Sequence, residues 1–81
     1  MGEIPAVTGK QLIRLLQKDG WVEKGRSTHG IALQKPGHYP TVVPDKKKPI
    51  PDGTLGAILG PRQTGIGKKG LAALIEKYGL T

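Results

Sequence analysis

The sequence predicts an α+β fold with the order α-β-β-β-α and one more helix at the end. Three observations carry that expectation. A capping signature precedes a leucine stripe at helical spacing, three β-prone runs follow with short turn signals between them, and two later segments return to helical spacing. Helices with one apolar stripe each must bury it, so they are expected on one face of a twisted antiparallel sheet.

The first helix is expected over about 9–19. Thr8-Gly9-Lys10-Gln11 reads as a capping box, in which the Thr8 hydroxyl accepts from the Gln11 backbone N–H and the Gln11 amide reaches back to Thr8. Leu12, Ile13, Leu15 and Leu16 form the apolar stripe, and Gly20 supplies a left-handed stop. Residues 21–24, Trp-Val-Glu-Lys, suit a first strand, with Gly25-Arg26 as the turn. A second strand over 27–33 carries Thr28, Ile31 and Leu33 and closes at Pro36-Gly37, and a third over 39–43 ends on Val42 and Val43. Pro44-Asp45-Lys46-Lys47-Lys48-Pro49-Ile50-Pro51 is a basic loop, because its three prolines remove donors and restrict their neighbours. Asp52 or Thr54 is expected to cap a short helix through Leu55, Ile58 and Leu59 that ends at Gly60-Pro61. A last helix over 68–78 follows from Leu71, Leu74, Ile75 and Tyr78, with Gly79 as its stop.

With 81 residues the chain is expected to form one domain, 1–81, too small to enclose a large cavity between domains. Thirteen Lys and Arg against six Asp and Glu leave a net charge of +7, which favours a polyanionic partner. No cysteine is present, so disulfides and thiolate metal sites are excluded, and with two histidines no structural zinc site is expected. No apolar run is long enough for a signal-peptide core or a membrane span, and a reducing, cytoplasmic setting without membrane contact is expected. Three aromatic residues and no Phe leave the outer sheet face without the stacking rings of a single-strand RNA reader.

Five short pieces in order, Thr8-Gly9-Lys10-Gln11-Leu12-Ile13, Asp19-Gly20-Trp21, Ser27-Thr28-His29, Thr41-Val42-Val43-Pro44 and Asp52-Gly53-Thr54-Leu55, resemble the HicA family of small toxins. The resemblance covers roughly 8–59 and leaves 61–81 as a C-terminal extension. It implies a fold similar to the double-stranded-RNA-binding domain, metal-independent cleavage of mRNA without a cofactor, and neutralisation by a HicB-type antitoxin protein. In that family a histidine at the start of the second strand carries the activity, and His29 stands at the matching position. Family members more often have Gly-Ser before this histidine and a second His after it, where this chain has Ser27-Thr28 and Gly30. Asp45 and the lysines stand where a further family histidine follows the Val-Pro.

The chemistry fits such an assignment. Cutting RNA without a metal requires one group to take the proton of a ribose 2′-hydroxyl and another to protonate the departing 5′-oxygen, and an imidazole with a pKa near ~6.5 can do either. His29 is the candidate, with Arg26, Lys24 or the run Lys46, Lys47, Lys48 as the cation that steadies the transition state. Strand parity offers a structural alternative, since His29 alternates with Ile31 and Leu33 and would then be buried or at a sheet edge. Lys10 and Arg14, one turn apart on the first helix, are further candidate phosphate contacts, and the lysine run is the densest place for phosphate to bind. His38 reads as a solvated loop residue, with a substitute second imidazole or an RNA contact as the alternative, and Trp21 as core packing.

Gly65-Ile66-Gly67-Lys68-Lys69-Gly70 has the spacing of a dinucleotide-binding fingerprint, but no strand precedes it and no βαβ unit fits in the remaining residues. The same residues resemble one arm of a helix-hairpin-helix turn, which leaves a second reading open: a non-catalytic nucleic-acid-binding module using the basic loop and the Gly65 to Lys69 turn.

Overall fold

The computed structural model describes residues 6–80, so 1–5 and Thr81, the ends of the expected domain, lie outside the described residues. The elements run α1 (Gly9–Lys18), β1 (Val22–Ser27), β2 (Gly30–Gln34), β3 (Thr41–Val43), α2 (Asp52–Leu59) and α3 (Gly67–Tyr78). The strands form one antiparallel sheet in the order β1-β2-β3. This is the α+β arrangement expected from the sequence, including the extra helix.

Both halves of the α1 capping box form: the Gln11 N–H donates to Thr8 Oγ1 at 3.1 Å and the Thr8 N–H to Gln11 Oε1 at 3.0 Å. At the other end Gly20 adopts φ +102°, and the chain turns back so that the Trp21 N–H meets the Leu16 carbonyl at 2.9 Å. Leu12, Leu15 and Leu16 of α1 pack with Trp21, with Ile31, Leu33 and Val43 from one face of the sheet, and with Ile58, Leu71 and Leu74 from the later helices. Leu12, Leu16, Leu33 and Leu71 are fully buried, as expected of the centre of a small core. The opposite sheet face stays open, with Val22 and Val42 exposed.

Two expectations about the strands are corrected. The first strand does not stop before Gly25 but continues to Ser27, and the turn falls at Thr28-His29, because Ser27 pairs with Gly30. A register shift between Glu23 and Gly25 leaves Lys24 as the extra residue of a bulge, and Gly25 itself pairs with Ala32 inside the ladder. The third strand begins at Thr41 rather than 39, since Pro40 has no N–H to contribute to a ladder. The cap of α2 is also different: Pro51 holds the N-cap position with no side-chain hydrogen bond, so neither Asp52 nor Thr54 caps the helix.

The loop after β3 is a strap rather than a free excursion. The Ile50 N–H donates to the Val7 carbonyl at 2.9 Å, Thr8 and Pro49 form a β-bridge, and the Lys10 N–H donates to the Lys46 carbonyl at 3.2 Å. A methyl group on Gly9 would overlap the Pro44 carbonyl, so the helix start can lie against the strap only because this residue has no side chain. Helix α3 closes the core: Leu71 and Leu74 are buried, and the Tyr78 hydroxyl donates to the Lys18 carbonyl at 3.2 Å.

Candidate active site at the hairpin tip

The β1–β2 turn holds Thr28 and His29, both exposed. The Ser27 hydroxyl accepts from the His29 N–H at 3.2 Å, a short side-chain bond that fixes the turn from within. Gly30 then takes φ +142°, and a side chain there would overlap the Val43 carbonyl and crowd the Pro44 Cα. The hairpin tip is thereby pressed onto the exit of β3, and the next residue there is Asp45. The His29 ring meets no hydrogen-bonding or charged partner among the described residues. The alternative from strand parity fails because Ile31 and Leu33 are buried while His29 has already left the ladder.

Asp45 collects the nearby cations. Its Oδ1 accepts from Lys10 Nζ at 2.9 Å, and its Oδ2 lies 3.5 Å from Arg26 Nη1. Arg26 Nε in turn donates to Glu23 Oε2 at 3.0 Å. The hydrogen bond from Lys10, with the charges of Lys10 and Arg26, holds the Asp45 carboxyl below its ordinary pKa against a smaller opposing effect of desolvation. Asp45 is therefore an anion near neutral pH. The sequence shows no such role for Asp45, because the signal is a contact across 35 positions and not a local pattern.

One end of the sheet thus gathers His29 at the tip, Arg26 on β1 and Lys10 at the start of α1, with Lys46 in the strap that lies on that start. Lys47 and Lys48 follow in the same exposed strap, and Arg14 is exposed one helical turn beyond Lys10. Lys24 is not part of this group. It lines an open groove with Val22, Lys35 and His38, beyond the middle of the sheet. His38 is held there by its Nδ1, 3.0 Å from the Thr64 carbonyl, and by its ring against Trp21 at 5.3 Å. It follows the far end of β2, about 13 Å along the strand from the hairpin tip at ~3.3 Å per residue, so it does not supply a second imidazole to His29. Trp21 is buried, as expected for core packing.

Gly65, in the connector, and Gly67, the first residue of α3, both adopt φ +68°, and the connector is anchored by Thr64, whose buried hydroxyl donates to the Ile58 carbonyl at 2.7 Å. No cluster of three or more potential metal ligands occurs among the described residues, and no helix among them is long and apolar enough to cross a membrane.

Fold and charge define a small basic α+β domain that presents an unencumbered imidazole on a hairpin. The chain belongs to the HicA toxin family: the family model described as HicA toxin of bacterial toxin-antitoxin matches residues 9–66. That match runs from the first residue of α1 to the residue before α3, so it takes in α2, and α3 lies beyond it. No curated protein and no solved structure matches the chain. By family, then, this is a toxin of the toxin-antitoxin kind.

Proposed function

We propose that the chain is an endoribonuclease that binds and cuts mRNA in the cytoplasm, with His29 as its acid or base, and that a HicB-type antitoxin neutralises it. The observation that carries the reading is the position of His29: exposed at a hairpin tip, with its ring unpartnered among the described residues and basic side chains on the neighbouring elements.

In the proposed reaction the ribose 2′-oxygen attacks the adjacent phosphorus, its proton passes to a base, and the 5′-oxygen leaves with a proton from an acid. A cyclic phosphate and a free 5′-hydroxyl result. Neutral imidazole serves the first transfer and imidazolium the second. Arg26 and Lys46, on elements that neighbour the hairpin tip, would offset the charge that builds on phosphorus, and Lys10, Arg14, Lys47 and Lys48 would extend the track for flanking phosphates. Lys24, on its bulge, would meet only RNA that continues across the sheet edge. An acidic antitoxin covering this end would block RNA and meet complementary charge.

A second reading, a nucleic-acid-binding module that does not cut, draws on the distance of His38 from His29, which leaves the site with one imidazole. Induced expression in a bacterial host separates the two. Growth arrest with mRNA decay for wild type, abolished by His29→Ala, supports the nuclease; arrest or its absence in both forms alike supports the binding module.

A further inference from the structure

Lys10 and Arg26 come from different elements, yet they converge on one carboxylate. Each Asp45 oxygen faces a different cation, Oδ1 to Lys10 Nζ at 2.9 Å and Oδ2 to Arg26 Nη1 at 3.5 Å. Two anionic oxygens shared between an ammonium and a guanidinium is also how a phosphodiester would be held. We propose that Lys10 and Arg26 form a cradle for one RNA phosphate, and that in the free protein the chain's own Asp45 carboxylate fills it until RNA displaces it.

The surroundings suit an exchange of anions. Glu23 holds Arg26 through Nε, which orients the guanidinium while leaving Nη1 directed at Asp45. The Lys10 backbone N–H is bonded to the Lys46 carbonyl, which fixes the base of that side chain against the strap independently of the carboxylate. Asp45 itself lies between β3 and α2, outside regular structure, where a side-chain rotation disturbs neither helix nor strand. The side chains of Lys10, Arg26 and Asp45 are 40%, 65% and 28% exposed, and ion pairs this open to water are weak enough for a phosphate to compete. The cradle also lies beside the reaction centre, because Gly30, next to His29, packs against Val43 and Pro44 immediately before Asp45.

The cradle presupposes the RNA-binding reading above, so two probes are needed. The first is an uncleavable 2′-O-methyl oligoribonucleotide, titrated by fluorescence anisotropy over a range of salt. Asp45→Asn is expected to tighten binding about three- to tenfold at low salt, because the RNA phosphate no longer has to displace a carboxylate from the cradle. Glu76→Gln, the same charge change at an exposed position on α3, is expected to shift affinity less than about twofold. In a Lys10→Gln/Arg26→Gln background, Asp45→Asn should shift affinity no more than Glu76→Gln does. Equal or weaker binding by Asp45→Asn, or the same gain in that background, would overturn the proposal.

The second probe is inorganic phosphate, followed by NMR at the Arg26 Nε–H. Saturation at lower phosphate in Asp45→Asn than in wild type is expected; identical titrations would overturn the cradle whatever the RNA result. If no form binds the oligonucleotide while phosphate still favours Asp45→Asn, the RNA reading fails and takes the RNA assignment of the cradle with it, and only the exchange of anions at Lys10 and Arg26 stands. Thermal unfolding checks that the variant is folded, and Asp45→Ser repeats both titrations if it is not.

Discussion

Gly30 lies against the Val43 carbonyl so closely that no side chain fits between them, and this contact seats the hairpin that carries His29 on the exit of β3. Gly30 also has φ +142°, a conformation that L side chains rarely adopt. Gly30→Ala must therefore move the hairpin away from Pro44 and Asp45 or strain the backbone, at a cost of about 2 kcal/mol or more. Chemical denaturation measures the loss, and activity should fall more than stability alone explains, because His29 is displaced from the cations. A neutral Gly30→Ala would refute this account of the tip.

The start of α1 rests on the Thr8 capping box. Thr8→Ala removes the acceptor of the Gln11 N–H and should lower stability by about 1 kcal/mol, read as a lower denaturation midpoint with unchanged slope.

Helix α3 lies beyond the family match, yet it is part of the core. Leu71 is fully buried, and Leu71→Ala should cost about 2–5 kcal/mol, the range for emptying a packed leucine site. A loss below ~1 kcal/mol in thermal or denaturant unfolding would mean that α3 is an accessory.

The acid limb of stability should depend on Asp45. Its folded-state pKa lies below the ordinary aspartate value because of Lys10 first and Arg26 last among the favourable contributions, so the folded state holds the proton less tightly than the unfolded one. The resulting stabilisation is fully present above the unfolded-state pKa of ~3.9 and disappears as pH falls through the lower folded-state value. Unfolding midpoints between neutral pH and about pH 2 should fall less steeply for Asp45→Asn than for wild type. Parallel curves would show that the Lys10–Asp45 contact does not survive in solution.

Much of this architecture was legible in the sequence because its determinants are local. The Thr8 to Gln11 box, the Gly20 and Gly79 stops and the leucine spacing located α1 and α3 to within a residue or two. The hairpin turn was not legible, for a physical reason: glycine signals a turn through its backbone freedom, but Gly25 uses none of it and pairs inside β1, while the actual turn residues Thr28 and His29 are held by Ser27 and followed by Gly30. A bulge at Lys24 also breaks the side-chain alternation along β1, which no local pattern announces. The basic character of Lys46, Lys47 and Lys48 could be read directly; that their loop is strapped to α1 could not, since the contacts join residues about 35 to 45 positions apart. The pairing of Asp45 with Lys10 was hidden on the same ground.

The measurement that tests the central claim most directly is cleavage of a defined mRNA by purified protein in the presence of EDTA, comparing wild type with His29→Ala and reading the chemistry of the new ends. The account predicts cyclic phosphate and 5′-hydroxyl ends from wild type, and at least about a hundredfold slower cutting by His29→Ala with RNA affinity kept, the loss expected when a general acid or base is removed. Equal cleavage by the two proteins, or none by either while both bind RNA, would contradict it.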